Sequence, residues 1–143
     1  MPKPIPVPNE LTKPFWDAAN QRRLVLQWCD TCRKFQYPPR PACQHCGSAD
    51  NLRWRGAAGK GHILEYYVIN DSRLAPIQKD QPVNFAVITL DQDPGINFFS
   101  NLPGTPIGEV PVGEAVHLIF RETGSGQLIH EWEVTQLWAA PNA

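Results

Sequence analysis

The chain has 143 residues, 42% of them hydrophobic, and a net charge of −1, which suffices for one ordinary domain or for a small module attached to a compact barrel. It contains no run of eighteen apolar residues, which excludes a helical membrane span, and its opening MPKPIPVPNE lacks the apolar centre of a signal peptide. The charge is unevenly spread: residues 1–60 carry ten Lys/Arg against four Asp/Glu (+6), and residues 61–143 carry three against ten (−7). Such a split suits an anionic partner at the first half, or attraction between the two halves.

Proline at positions 2, 4, 6 and 8 forbids a helix at the start and favours an extended arm, either disordered or laid along a partner. Pro14 suits the first turn of a helix, and residues 15–20 read as a short one. Residues 24–28, LVLQW, read as a strand that delivers the chain to the first cysteine.

All four cysteines follow within CDTCRKFQYPPRPACQHC, as two Cys-x-x-Cys pairs, Cys29/Cys32 and Cys43/Cys46, ten residues apart. A Cys-x-x-Cys knuckle sets two thiolates on one side of a metal ion, and two knuckles close a tetrahedral shell. The spacing predicts a structural zinc ribbon over residues 29–55, although iron in a rubredoxin-like site of four thiolates fits it equally well. Disulfides need an oxidising compartment, and a redox Cys-x-x-Cys stands alone beside a βαβ pattern, so both readings fit less well. Four thiolates on zinc without an export signal point to the cytoplasm. His45, inside the second pair, is read as a solvated loop residue, and Gly47 as a residue free to take positive φ where the knuckle turns. Trp28, Phe35, Tyr37 and Trp54 are expected to pack over the sulfurs as a miniature core.

The segment GAAGKG at 56–61 fails as a phosphate loop, because Trp54 stands where the first glycine is needed and Gly61 replaces the hydroxyl residue. It is read as a flexible joint opening a second unit, residues 56–143. Strands are expected at 62–69, 83–90, 96–102, 115–121 and 128–136, with no long helical pattern after residue 30. Five antiparallel strands with a long first connection at 70–82 suit a closed barrel of the OB type. The expected fold is thus mainly β: an N-terminal arm and short helix (1–28), a four-cysteine ribbon (29–55) and a five-stranded barrel (56–143).

The order Phe15-Trp16, Leu24-x-Leu26-Gln27-x-Cys29-x-x-Cys32, Tyr37-Pro38-Pro39-Arg40, Cys43-x-x-Cys46, Trp54, Gly59-x-Gly61 and then a five-strand barrel resembles the DUF35 proteins. The resemblance covers nearly the whole chain. It departs at 90–95, LDQDPG, where the family has an Asp-Glu-Gly run, and at Arg33, where the family often has glycine. What it implies is a rubredoxin-like zinc ribbon followed by an OB-fold, with one structural zinc on Cys29, Cys32, Cys43 and Cys46. It further implies an accessory subunit of thiolase-superfamily enzymes that make or break carbon–carbon bonds in acyl-CoA thioesters, one branch serving a steroid side-chain aldolase. In that setting Arg40, Arg55, Lys60, Arg73 and Lys79 are the candidate contacts for coenzyme A or the partner.

Catalysis within the chain finds no support in the residues. The thiols are committed to metal, no Gly-x-Ser-x-Gly exists, and His62, His117 and His130 fall in separate strands. Glu131 and Glu133 share a face that is read as solvated. The alternative function is a single-stranded nucleic-acid-binding OB-fold, whose footprint would be a basic groove with exposed aromatics; a −7 barrel half argues against it.

Overall fold

A computed structural model describes residues 4–70, 73 and 82–135. A helix, α1 (Lys13–Asn20), is followed by eight strands: β1 (Val25–Cys29), β2 (Lys34–Gln36), β3 (Leu52–Gly56), β4 (Lys60–Ile69), β5 (Val83–Leu90), β6 (Asn97–Ser100), β7 (Ala115–Glu122) and β8 (Leu128–Val134). No helix among the described residues is long and apolar enough to cross a membrane.

The helix starts where the sequence says it should. Pro14 sits in its first turn, and Asn9 and Thr12 bond reciprocally just before it, each side chain accepting the other's backbone N–H at 2.9–3.0 Å. It stops without a glycine: Arg22 takes φ +57 while the N–H groups of residues 21–23 cap the carbonyls of Ala18 and Ala19. Asn20 then ties the helix end to the barrel, its Oδ1 accepting the Leu128 N–H at 2.9 Å.

Strands β2, β1 and β3 form a three-stranded antiparallel sheet with β1 in the middle. Sequence reading found β1 alone, because β2 is three residues long and β3, LRWRG, lacks a clean alternation. The remaining five strands form one antiparallel sheet in the order β6-β5-β4-β7-β8. The Ser100 hydroxyl accepts the Trp132 N–H at 3.0 Å, bringing β6 to β8 and nearly closing the barrel. A register shift between Ile63 and Glu65 bends β4, as curvature of a small barrel requires.

The joint expected at 56–61 is instead closely packed at Gly59 and Gly61. Gly59 accepts the Leu118 N–H at 2.9 Å, and a Cβ there would stand 2.7 Å from that of Leu118. A Cβ on Gly61 would lie 2.5 Å from the Thr89 carbonyl oxygen. These glycines permit close strand approach rather than flexibility. The turn at 90–95 secures the same crossing, with Gln92 Oε1 accepting the Ala58 N–H at 2.9 Å.

One apolar cluster runs through both sheets, joining Leu24, Leu26 and Phe35 of the ribbon side to Ile63, Ile88, Phe98 and Trp132 of the barrel. Of the aromatics assigned to a separate ribbon core, Phe35 and Trp28 do meet edge to face at 4.8 Å. Tyr37 instead packs on Phe98 (4.6 Å) and Phe15 (5.7 Å). A ribbon this small gains more buried area by sharing the barrel's core than by closing its own.

Candidate functional site

The four cysteine sulfurs lie within 4.8 Å of one another, with Cys29–Cys46 at 3.8 Å and Cys43–Cys32 at 3.9 Å. Four ligands about 2.3 Å from a central ion at tetrahedral corners stand about 3.8 Å apart, so the sulfurs already have the spacing of a four-thiolate metal site. The two knuckles repeat one geometry. Arg33 N–H donates to the Cys29 carbonyl at 2.7 Å and Gly47 N–H to the Cys43 carbonyl at 2.8 Å, and both residues have positive φ, +56 and +77. Arg33 thus occupies a left-handed position that glycine fills in the second knuckle. His45 is exposed, as expected, and only its backbone joins the site, donating to Cys43 Sγ at 3.3 Å.

Thiols this close cannot all ionise unaided. Hydrogen bonding to Cys46, with burial, pushes Cys32 up to about 12. At Cys43 burial also opposes ionisation, but the backbone N–H groups of Cys46 and His45, together with hydrogen bonds from the Cys29 and Cys46 thiols, outweigh it and bring the thiol down to about 7. A divalent cation supplies the missing positive charge, so the four cysteines are positioned to bind a metal ion. Four sulfurs would fill the shell of a tetrahedral ion and leave no position on it for substrate or activated water.

Two glutamines whose role the sequence did not reveal hold this centre together. Gln27 on β1 and Gln36 on β2 are cross-strand partners, and both are buried. Gln36 Nε2 donates to Gln27 Oε1 at 2.7 Å and to the Ala42 carbonyl at 3.2 Å. Gln36 Oε1 accepts the Gln44 N–H at 2.8 Å. Gln27 spans the Arg40 backbone, accepting its N–H at 2.8 Å and donating to its carbonyl at 2.9 Å. The extended run 37–42 is thereby fixed to the sheet, and with it the second knuckle. Gln27 belongs to the motif that carries the family resemblance, but nothing in the sequence pairs it with Gln36, nine residues on.

The candidate coenzyme A contacts are dispersed. Arg40, Lys60 and Arg73 are exposed; Arg55 lies over the Trp28 ring at 4.2 Å; Lys79 and most of the 70–82 connection fall outside the described residues. Two other basic residues share a cleft. Arg22 and Arg23, at the turn after α1, line a cleft of about 600 Å³ with Gly56, Gly59, Leu118 and Phe120. The dibasic pair after a helix was the available signal.

The three barrel histidines have separate surroundings. His62 pairs with Asp91, and His117 with Glu133 at 3.4 Å across β7 and β8. His130 is wrapped by Phe15, Trp16 and Phe120, and burial lowers its pKa from 6.5 to about 4. Glu131 corrects the reading of a solvated face: it is 2% exposed and accepts from Arg121 Nε at 3.2 Å. The arm is likewise not free, since Pro4, Ile5 and Pro6 form one wall of an aromatic cavity of about 350 Å³.

Comparison with known proteins matches this arrangement. Residues 16–53 match the family model of the ChsH2 rubredoxin-like zinc ribbon domain. A solved Ltp2-ChsH2(DUF35) aldolase contains a chain that superposes with a TM-score of 0.77 at 28% identity, covering 91% of this chain and 98% of that one. A DUF35 protein of unknown function from Sulfolobus solfataricus shares the fold, at TM-score 0.61 and 20% identity over 89% of this chain and 87% of the other. Among curated sequences, a probable enoyl-CoA hydratase alpha subunit of Thermomonospora curvata is 32% identical over 122 residues. Those residues are 84% of this chain but 36% of that protein, so the chain spans about a third of the relative's length.

Proposed function

We propose that this DUF35 protein, with its ChsH2-type ribbon, is the non-catalytic subunit of a thiolase-like complex acting on acyl-CoA thioesters. The observation that carries the reading is the whole-length likeness to the chain in the Ltp2-ChsH2(DUF35) aldolase, in which barrel and ribbon superpose together. The curated relative is named for a reaction of acyl-CoA thioesters, which accords with it. The chain's own residues accord too: its four thiols are positioned to bind one metal ion, and His62 and His117 pair with different carboxylates on separate strands.

Zinc is the metal proposed for Cys29, Cys32, Cys43 and Cys46, where it holds the ribbon's form and supplies no reacting group. The chain's part is to dock on the partner and help position the thioester. Coenzyme A is anionic, so its phosphates would be met by Arg22 and Arg23 in their cleft, with Arg40, Arg55 and Lys60 of the basic half and Arg73 and Lys79 of the second half as further contacts. Affinity purification from the native source is expected to bring down a thiolase-superfamily protein together with acyl-CoA aldolase or acyltransferase turnover. In the assembled complex, Arg73→Ala/Lys79→Ala and Arg22→Ala/Arg23→Ala are each expected to weaken acyl-CoA turnover while leaving assembly and metal content unchanged. A protein recovered without any thiolase-superfamily partner, or inert toward acyl-CoA with one, would overturn the proposal.

A further inference from the structure

Arg22 and Arg23 line one cleft side by side, and both are exposed. Among the described residues neither pairs with a carboxylate, since the ion pairs join other side chains. No Asp or Glu lines the cleft either. Two guanidinium groups beside each other without a counter-charge repel, and an anion with several oxygens relieves that repulsion while satisfying both forks of donors. The rest of the lining is apolar or bare backbone: Leu118 and Phe120 of β7, both half-buried, with Leu24, Gly56, Ala57 and Gly59.

Packing does not explain Gly56, the last residue of β3. Its φ is not positive, unlike that of Gly47 at the knuckle. A Cβ there would meet nothing within 4 Å, whereas one on Gly59 or Gly61 would collide. A strand glycine with neither reason leaves backbone bare, which suits close approach by a ligand. The cleft's volume of about 600 Å³ lies within the range of small-molecule sites, which pair apolar walls with a few polar groups.

We propose that this cleft holds the nucleotide end of the coenzyme A thioester, with Arg22 and Arg23 on its phosphates and the adenine ring against Leu118 and Phe120. The inference rests on the acyl-CoA reading above and narrows it to one part of the molecule. Coenzyme A gathers phosphate at the 3′ and 5′ positions of one adenosine, which matches a pair of adjacent cations beside an apolar wall. The pantetheine arm carries no charge and gives the arginines nothing to hold. The chain therefore recognises the handle that all coenzyme A thioesters share and leaves the acyl group to the partner. A thioester carried on protein-bound phosphopantetheine lacks the adenosine and is rejected.

The test uses the full-length, metal-loaded chain without a partner, labelled with 15N. It is titrated at one ionic strength with adenosine 3′,5′-bisphosphate, inorganic phosphate and pantetheine. The bisphosphate is expected to saturate, to shift the backbone N–H signals of Arg22, Arg23, Gly56 and Gly59, and to bind about tenfold or more tightly than inorganic phosphate; pantetheine should not saturate. Arg22→Ala/Arg23→Ala should weaken bisphosphate binding by about tenfold or more. Lys13→Ala/Lys34→Ala removes the same charge from exposed positions outside the cleft and should change it less than about twofold. Gly56→Leu, whose Cβ meets no atom within 4 Å, should weaken it several-fold. Should a variant fold poorly, the three-ligand comparison on the unaltered chain still decides. Equal affinity for bisphosphate and inorganic phosphate, no saturation by the bisphosphate, shifts that map away from the cleft, or equal weakening by the two double variants would each overturn the proposal. The subunit reading falls separately, by recovery of the native protein without a thiolase-superfamily partner.

Discussion

Replacing Gln36 with leucine tests whether the glutamine clamp, rather than the cysteines alone, sets the metal centre. Leucine is close in size, so the change opens little space but removes three hydrogen bonds, to Gln27 Oε1 at 2.7 Å, the Ala42 carbonyl at 3.2 Å and the Gln44 N–H at 2.8 Å. Gln27 Oε1 keeps the Arg40 N–H, whereas the Ala42 carbonyl and the Gln44 N–H lose the partners they have in the clamp. Both sit where water has some access, so each costs near the low end of the 1–3 kcal/mol range, about 2 kcal/mol in all. Residues 42–46 carry the second knuckle, and metal binding and folding of a ribbon are one equilibrium. A loss of about 2 kcal/mol therefore lowers apparent metal affinity roughly 30-fold. Competition against a chromophoric chelator at fixed pH, with Gln44→Ala as a surface control, measures it. Gln36→Leu within twofold of the unaltered chain would refute the clamp.

Three further outcomes are expected. Gly61→Ala drives a Cβ to 2.5 Å from the Thr89 carbonyl and 2.9 Å from Ile88 Cγ2, costing about 2 kcal/mol in urea unfolding, while Gly56→Ala, with nothing within 4 Å, changes stability by less than about 0.5 kcal/mol. Arg33→Gly relieves a left-handed residue at φ +56 and should stabilise the ribbon by about 0.5–1 kcal/mol, the relief exceeding glycine's entropic cost; unchanged melts would count against strain there. His130, lowered from 6.5 to about 4 by burial, is neutral in both folded and unfolded chains above 6.5, so it carries no penalty there. Below 6.5 the unfolded chain takes up the proton first, and stability falls until the folded state also protonates near 4, by about 2 kcal/mol at pH 5. His130→Phe should remove that part of the acid sensitivity in parallel urea titrations from pH 7.5 to 5, and equal slopes for the two proteins would refute it.

Much of the architecture was legible because its signals are local. The Cys-x-x-Cys pairs fix four ligands by spacing alone, and β5, from Val83 to Leu90, is bounded as its apolar run suggests. What stayed hidden depends on contacts between distant segments. Glu131 alternates like a solvent-facing residue yet is covered, because the barrel nearly closes and both faces of β8 acquire neighbours. Gly59 and Gly61 look like a hinge, since glycine's flexibility and its small size leave the same mark in a sequence. Only the positions of Leu118 and Thr89 tell them apart. Gln27 and Gln36 become a pair only once β1 and β2 are in register, and the cleft around Arg22 and Arg23 needs the turn after α1 to lie beside Leu118 and Phe120 of β7.

The placement of Tyr37 ties the four-cysteine centre to the barrel. It follows directly on Gln36, whose side chain holds Ala42 and Gln44 next to the second knuckle. Its own ring leaves the ribbon to pack on Phe15 and Phe98, and there it becomes a wall of the aromatic cavity. The metal ligands, the clamped run 37–42 and the cavity are thus successive neighbours along one stretch of chain. A ribbon that loosened would free Tyr37 from one side, and the barrel's core, which shares Phe35 and Leu26 with the ribbon, would lose packing from the same direction. An ion held by the four sulfurs would therefore fix the backbone that carries Tyr37 into the barrel's core.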